Sequence, residues 1–147
     1  MTIDLEVKAL QQVPMFRELA PGRLKLLAFT SERVTYSPGE YLFSQGDQAD
    51  AAFVILDGKA QVILETAADP LVVAELGRND LVGEMGILTE TPRSATVRAE
   101  TSVIALRIDK RIFLELLQQV PALSIAILRE MANRLEKTNM RLAQNGN

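Results

Sequence analysis

Apolar positions recur every three to four residues at both ends of this chain and alternate through its middle. Helices are therefore expected to flank a β-structured centre. Thr2 is a candidate cap for a first helix with Ile3, Val7 and Leu10 on one face. Pro14 interrupts that helix, and Pro21 opens another ahead of Leu24, Leu26, Leu27 and Phe29. From Glu32 the runs shorten. Val34 and Tyr36 alternate up to Ser37-Pro38-Gly39, and Tyr41-Leu42-Phe43 precedes Gln45-Gly46-Asp47. Phe53-Val54-Ile55-Leu56 and Lys59 to Leu64 flank Asp57-Gly58, a pair that predicts a type I′ hairpin because both central residues need positive φ. Leu71 to Leu76, Ser94 to Arg98 and Ser102 to Ile108 read as further strands. Short strands at this spacing predict a sandwich or barrel. Helical spacing returns at Asp109, a candidate N-cap, with Ile112, Phe113, Leu116 and Leu117 on one face. Pro121 begins a long final helix in which Leu128, Met131, Leu135, Thr138 and Leu142 form a stripe. That stripe either packs on the β-part or serves as the seam of a homodimer.

These elements divide the 147 residues into N-terminal helices over about 2–30, a β-part over about 31–108 and C-terminal helices over about 109–143, all in one domain. No internal repeat or linker breaks the chain.

Composition removes several chemistries. With no cysteine, disulfides, thiolate catalysis and zinc–thiolate sites are excluded. With no histidine, the commonest general base and metal ligand is missing, which leaves no expected metal site or catalytic residue. A metal-dependent barrel enzyme is accordingly the weakest reading. The net charge of −3 gives no general support for binding nucleic acid. The first residues lack the basic start and apolar stretch of a signal peptide. The apolar runs are too short for a membrane helix of about 20 residues. Position two is Thr, so myristoylation is not indicated. The expected location is the cytoplasm.

Against that background, the segment from Val82 to Val97 concentrates the chemistry. Gly83-Glu84 opens a short apolar turn, and Pro92-Arg93-Ser94-Ala95 follows a few residues later. A phosphodiester buried with one negative charge needs paired charge and hydrogen-bond donors. A helical turn beginning near Gly83 presents the amides of Met85 and Gly86. Glycine at 83 and 86 lets backbone approach closely. Arg93 supplies a planar fork, Ser94 a hydroxyl and Ala95 another amide. Glu84 makes sense beside an anion when it accepts from a sugar 2′-hydroxyl. Singly, each residue has an ordinary alternative: a turn, a surface charge or a strand start.

Together, Gly83, Glu84, Arg93, Ser94 and Ala95 resemble the phosphate-binding cassette (82–97) of the cyclic nucleotide-binding domain family. Val82 stands where an aromatic is frequent, and Gly86 where alanine is frequent. Ser37-Pro38-Gly39-Glu40, Gln45-Gly46-Asp47 and Phe53 to Gly58 resemble the family's early turns and central hairpin, so the likeness covers roughly residues 13 to 135. The resemblance implies an α+β fold: an eight-strand antiparallel, jelly-roll-like β-roll flanked by N-terminal and C-terminal helices. It implies that Gly83, Met85 and Gly86 present backbone to phosphate and sugar. Glu84 would hold the ribose, and Arg93 would pair with the phosphate beside Ser94 and Ala95. Val62, Val73 and Ala74 would line the base, although each also reads as ordinary barrel core. Met131, Arg134, Leu135 and Thr138 are candidates for a lid over the base. Ser94 leans the reading to cAMP, with cGMP as the other ligand.

The function implied is a non-catalytic sensor, with a cyclic nucleotide as ligand and no other cofactor. The alternative is a structural or interaction module that keeps the roll without a ligand. Bacterial relatives add a helix-turn-helix after the long helix. None follows Leu142 here, so this chain is not expected to read DNA.

Overall fold

The computed structural model describes residues 4–145, apart from the side chains of Thr138 and of 141–145. The expected cap Thr2, the face residue Ile3 and the Thr138 and Leu142 side chains lie outside the described residues. Helix α1 (Asp4–Gln12) is followed by a 3₁₀ turn at Pro14–Glu18 and by α2 (Pro21–Thr30). Eight strands come next among the described residues: β1 (Glu32–Tyr36), β2 (Tyr41–Phe43), β3 (Ala51–Asp57), β4 (Ala60–Leu64), β5 (Leu71–Leu76), β6 (Leu81–Val82), β7 (Thr96–Ala99) and β8 (Val103–Asp109). A short helix α3 (Glu84–Thr89) separates β6 from β7, and α4 (Lys110–Gln119) and α5 (Pro121–Asn145) close the chain. The expected α+β architecture is present. Two four-stranded antiparallel sheets, ordered β1-β8-β3-β6 and β2-β7-β4-β5, form the roll between the helices.

Strand β3 explains why its sequence runs apolar without alternation. Ala52, Val54 and Leu56 face the helices, where they pack with Leu10, Phe16, Leu27 and Phe113. Ala51, Phe53 and Ile55 face the interior of the roll, with Ala60, Val97 and Val103. Both faces of the strand are buried, so neither needs polar residues. The helix-side core reaches α5 through Leu123 and Ile127. At the N-terminal edge, buried Glu6 of α1 accepts from Arg33 Nη1 of β1 at 2.9 Å. Asp109 caps α4 as expected, its carboxylate accepting from the Arg111 amide at 2.9 Å.

One expectation is corrected, and the faces of two helices are now defined. Asp57-Gly58 does not close a hairpin: β3 pairs with β6 and β8, whereas β4 pairs with β5 and β7. The chain crosses there from one sheet to the other, and Gly58 keeps its positive φ of 95° at the corner. The hairpin that does form joins β4 to β5. On α2, Leu24, Leu27 and Ala28 face the core, but Leu26 and Phe29 are 62% and 76% exposed. At 100° per residue, positions 26 and 29 lie on the far side of the helix from 24, 27 and 28. On α5, Leu128 and Leu135 stand in solvent rather than packing on the roll. Among the described residues, no single helix is long and apolar enough to cross a membrane.

Candidate cyclic nucleotide site

The segment after β6 folds as its residues require. Gly83, at φ 89°, is the N-cap of α3. A Cβ at that position would lie 2.8 Å from Arg93 Nη1 and 3.2 Å from the Phe43 ring. Only glycine fits both the backbone and the space. Gly86, where the family often has alanine, is explained by Ala49, whose methyl lies 2.6 Å from where a Cβ would stand. The first amides of α3 lack partners within the helix.

Arg93 is placed by its backbone before its side chain. Its amide donates to Asp47 O, and its carbonyl accepts from the Gly46 amide, both at 2.8 Å. The Gln45-Gly46-Asp47 turn thus clamps the residue. The side chain is only 2% exposed. Nη1 donates to Gly83 O and Nη2 to Ala51 O, each at 2.5 Å. The guanidinium carbon sits 4.0 Å above the centroid of the Phe43 ring. Nε is buried and has no acceptor among the described residues. The nearest acid, Asp50, is 3.9 Å away, largely exposed and shared with Arg107 at 3.2 Å. Burial lowers the Arg93 pKa, and Asp50, Asp47 and Glu84 oppose that shift. The charge is therefore desolvated and met by two carbonyls and a ring but by no buried acid among the described residues, a state that favours an incoming anion.

Glu84 is buried at the start of α3. Arg134 of α5 approaches its Oε1 to 3.7 Å and Glu130 to 3.0 Å. Burial raises the Glu84 pKa, while its own backbone hydrogen bond and Arg134 hold it down. The raised value fixes the sign of a pH effect: the native state holds this proton more tightly than the unfolded chain does. The resulting stability is fully present below the ordinary glutamate range and is lost as pH rises through the elevated native value. Glu84→Gln should remove that component. Urea midpoints should then show wild type losing stability relative to the variant as pH rises through that interval; a constant gap would refute the assignment.

Phe43, Val62, Ala74, Leu76, Leu81, Val82, Val97, Arg134 and the cassette residues Gly83 to Gly86 and Arg93 to Ala95 line an open-mouthed cavity of about 330 Å³. Nine of the ten residues expected at the site thus line one cavity. Val73 is not among them and is half exposed. The β4–β5 pairing shifts register between Val62 and Ile63, so that Val62 faces Ala74 and Ile63 faces Val72. Val73 is left opposite the irregularity. Of the lid candidates, Arg134 lines the cavity and Leu135 is 63% exposed. Met131 packs beside the helix-side core. Sequence reading missed Phe43, because nothing in the spacing of Tyr41-Leu42-Phe43 relates it to an arginine fifty residues on. A larger hollow of about 460 Å³ adjoins the cassette at Gln48, Asp50, Glu90 and Lys110. The smaller cavity is the stronger site because it holds the buried guanidinium.

Comparison with known proteins bears on the fold and the family. The family model described as the cyclic nucleotide-binding domain matches residues 33–120. An uncharacterized NTE family protein of Mycobacterium bovis is 32% identical over 130 residues, 88% of this chain and 22% of that protein. The cAMP-dependent protein kinase regulatory subunit of Emericella nidulans is 32% identical over 111 residues, 76% of this chain and 26% of that protein. The chain thus spans about a quarter or less of the length of these curated relatives. The crystal structure of Thermus thermophilus catabolite activator protein superposes with a TM-score of 0.80 at 28% identity, covering 90% of this chain and 63% of that one. With the family match extending over more than half of its residues, this chain belongs to the cyclic nucleotide-binding domain family.

Proposed function

We propose that the chain is one regulatory domain that binds a cyclic nucleotide, cAMP in preference to cGMP, and shifts α5 in response. The observation that carries this reading is Arg93, a buried cavity-lining cation whose Nε lacks an acceptor among the described residues. A phosphate oxygen supplies that acceptor and the missing charge together. Ser94 and the Ala95 amide add donors, and Gly83, Met85 and Gly86 offer backbone. Glu84 accepts from the ribose 2′-hydroxyl, while Val62 and Ala74 wall the base. Val73 has no part. A cavity of about 330 Å³ suits a small ligand. Because Arg134 of α5 reaches Glu84, a ribose that takes this carboxylate changes the contact that ties α5 to the cassette. The role is regulatory rather than catalytic, and the cytoplasm, where such a signal is made, is the proposed location.

Calorimetric titration with cAMP, cGMP and 5′-AMP tests the reading. Saturable binding of a cyclic nucleotide, with 5′-AMP much weaker, is expected; absence of heat with all three sinks it. The rival reading is a module without a ligand. It draws on the same arginine, whose two terminal nitrogens are already met by Gly83 O and Ala51 O. A thermal-shift titration separates the two, because a ligand at 100 times its Kd stabilises the fold by about 2.7 kcal/mol.

The proposed partner along α5 is a second copy of this chain. Leu128 and Leu135 are 65% and 63% exposed and lie seven residues apart, the spacing of a coiled-coil seam. Leu128→Glu with Leu135→Glu should convert a dimer to a monomer in sedimentation velocity. A wild-type chain that sediments as a monomer at high concentration overturns this.

A further inference from the structure

The cation in the wall of the cavity rests on an aromatic ring that no motif marks. Phe43 belongs to β2, where it pairs with Val97 of β7. The Arg93 guanidinium carbon lies 4.0 Å above its centroid. The ring is braced in turn by buried Phe53, with centroids 5.9 Å apart and planes tilted by 35°. Its Cε2 also lies 3.2 Å from the point where a Gly83 Cβ would stand. One ring therefore touches both the cation and the glycine that opens α3.

A guanidinium is planar, and three constraints fix its plane here. Gly83 O and Ala51 O each hold one terminal nitrogen. The Phe43 face fixes the tilt, since a cation is drawn to the negative face of a ring. The two carbonyls lie at the edge of the guanidinium and the ring lies beneath it. Without the ring, the group keeps its edge contacts but can rotate about them. The Nε–H, buried without an acceptor among the described residues, then loses its fixed direction.

We propose that Phe43 is a positioning residue: its ring holds the Arg93 guanidinium in the plane that leaves Nε–H free for a phosphate oxygen, and so sets affinity for the cyclic phosphate. The affinity part of this inference rests on the function proposed above; the positioning part stands without it. Phe43→Leu removes the π face while keeping bulk, whereas Phe43→Tyr keeps the face. Calorimetry with cAMP should show Phe43→Leu weakened roughly ten- to thirtyfold, the factor for a desolvated cation–π contact. Phe43→Tyr should stay within about threefold of wild type, on the same principle. An Arg93→Lys background, where no planar fork remains, should shrink the Phe43→Leu loss.

A second measurement needs no ligand. In nucleotide-free protein, NMR should show the Arg93 Nε–H proton displaced by the ring current and slow to exchange. Phe43→Leu should abolish the displacement, and Phe43→Tyr should retain it. If wild type binds no nucleotide while the NMR pattern holds, the functional reading fails and the positioning role stands. An Arg93 Nε–H signal indifferent to Phe43→Leu overturns the proposal. So does a Phe43→Leu affinity loss that is undiminished in the Arg93→Lys background.

Discussion

Arg93→Ala is expected to weaken cAMP binding by about 2–5 kcal/mol, the cost of truncating one partner of a buried charge pair. The size follows from where the group sits. The side chain is 2% exposed, so water screens it little. Among the described residues, the other cation lining the cavity is Arg134, which is more than half exposed and already engaged with Glu84 and Glu130. It cannot substitute for a fixed, desolvated fork. The same change withdraws the donors that satisfy Gly83 O and Ala51 O, at about 1–3 kcal/mol for each carbonyl left buried. Binding must therefore be compared with a urea midpoint measured on the same variant. Arg93→Lys gives the second point: it keeps the charge and loses the planar fork, so its affinity should fall between wild type and Arg93→Ala. A folded Arg93→Ala protein that binds cAMP as tightly as wild type would place the anion elsewhere.

What could be read from the chain follows from the range of each interaction. The cassette was legible because its parts are local. Gly83 caps α3, Glu84 starts it, and Arg93 follows within ten residues, so the set lay in one short segment that could be recognised by its resemblance to the family's cassette, although the distant Gln45-Gly46-Asp47 turn is what clamps Arg93. The Asp109 cap and the buried run of β3 were legible for the same reason. Helix phase on α2 was not, because Leu26 and Phe29 on the outer side are as apolar as Leu24 and Leu27 on the inner one, and Arg23, Lys25 and Thr30 only flank them. Val73 misled because a one-residue irregularity in β4–β5 pairing carries no signature in Leu71-Val72-Val73-Ala74. Phe43 was invisible as a site residue because its contact with Arg93 exists only once β2 lies on β7. Arg134 was one of four lid candidates. The packing of Leu123 and Ile127 against the helix-side core places it at the cavity.

The Asp57-Gly58 corner supplies the other large effect. Gly58 was read correctly as a point of positive φ, but Asp57 does not share it and the pair closes no hairpin; a single left-handed residue also serves where a strand leaves one sheet for another. The surroundings distinguish the two cases. A Cβ on Gly58 would collide with the Ser102 carbonyl and crowd Val103 Cα, both backbone atoms at the start of β8. Strand β8 lies inside its sheet between β1 and β3, and Val103 is fully buried, so it has no room to retreat. Neighbouring bonds tie the corner further. The Lys59 amide donates to Thr101 Oγ1, and Lys59 O accepts from the Glu100 amide, both at 2.9 Å. Gly58→Ala should therefore combine left-handed strain of about 1–2 kcal/mol with about 1–3 kcal/mol for a disturbed corner hydrogen bond. A total loss near 3 kcal/mol is expected, a large share of the roughly 5–15 kcal/mol that stabilises a typical domain. Urea unfolding should show a lower midpoint with an unchanged slope. Gly22→Ala is the control. Gly22 lies in α2 with nothing near its missing Cβ, so alanine there should be neutral or stabilising. If Gly58→Ala unfolds within about 0.5 kcal/mol of wild type, as surface changes usually do, the crossing is not held by contact with Ser102. The strained corner would then be a local feature rather than what fixes the two sheets against each other.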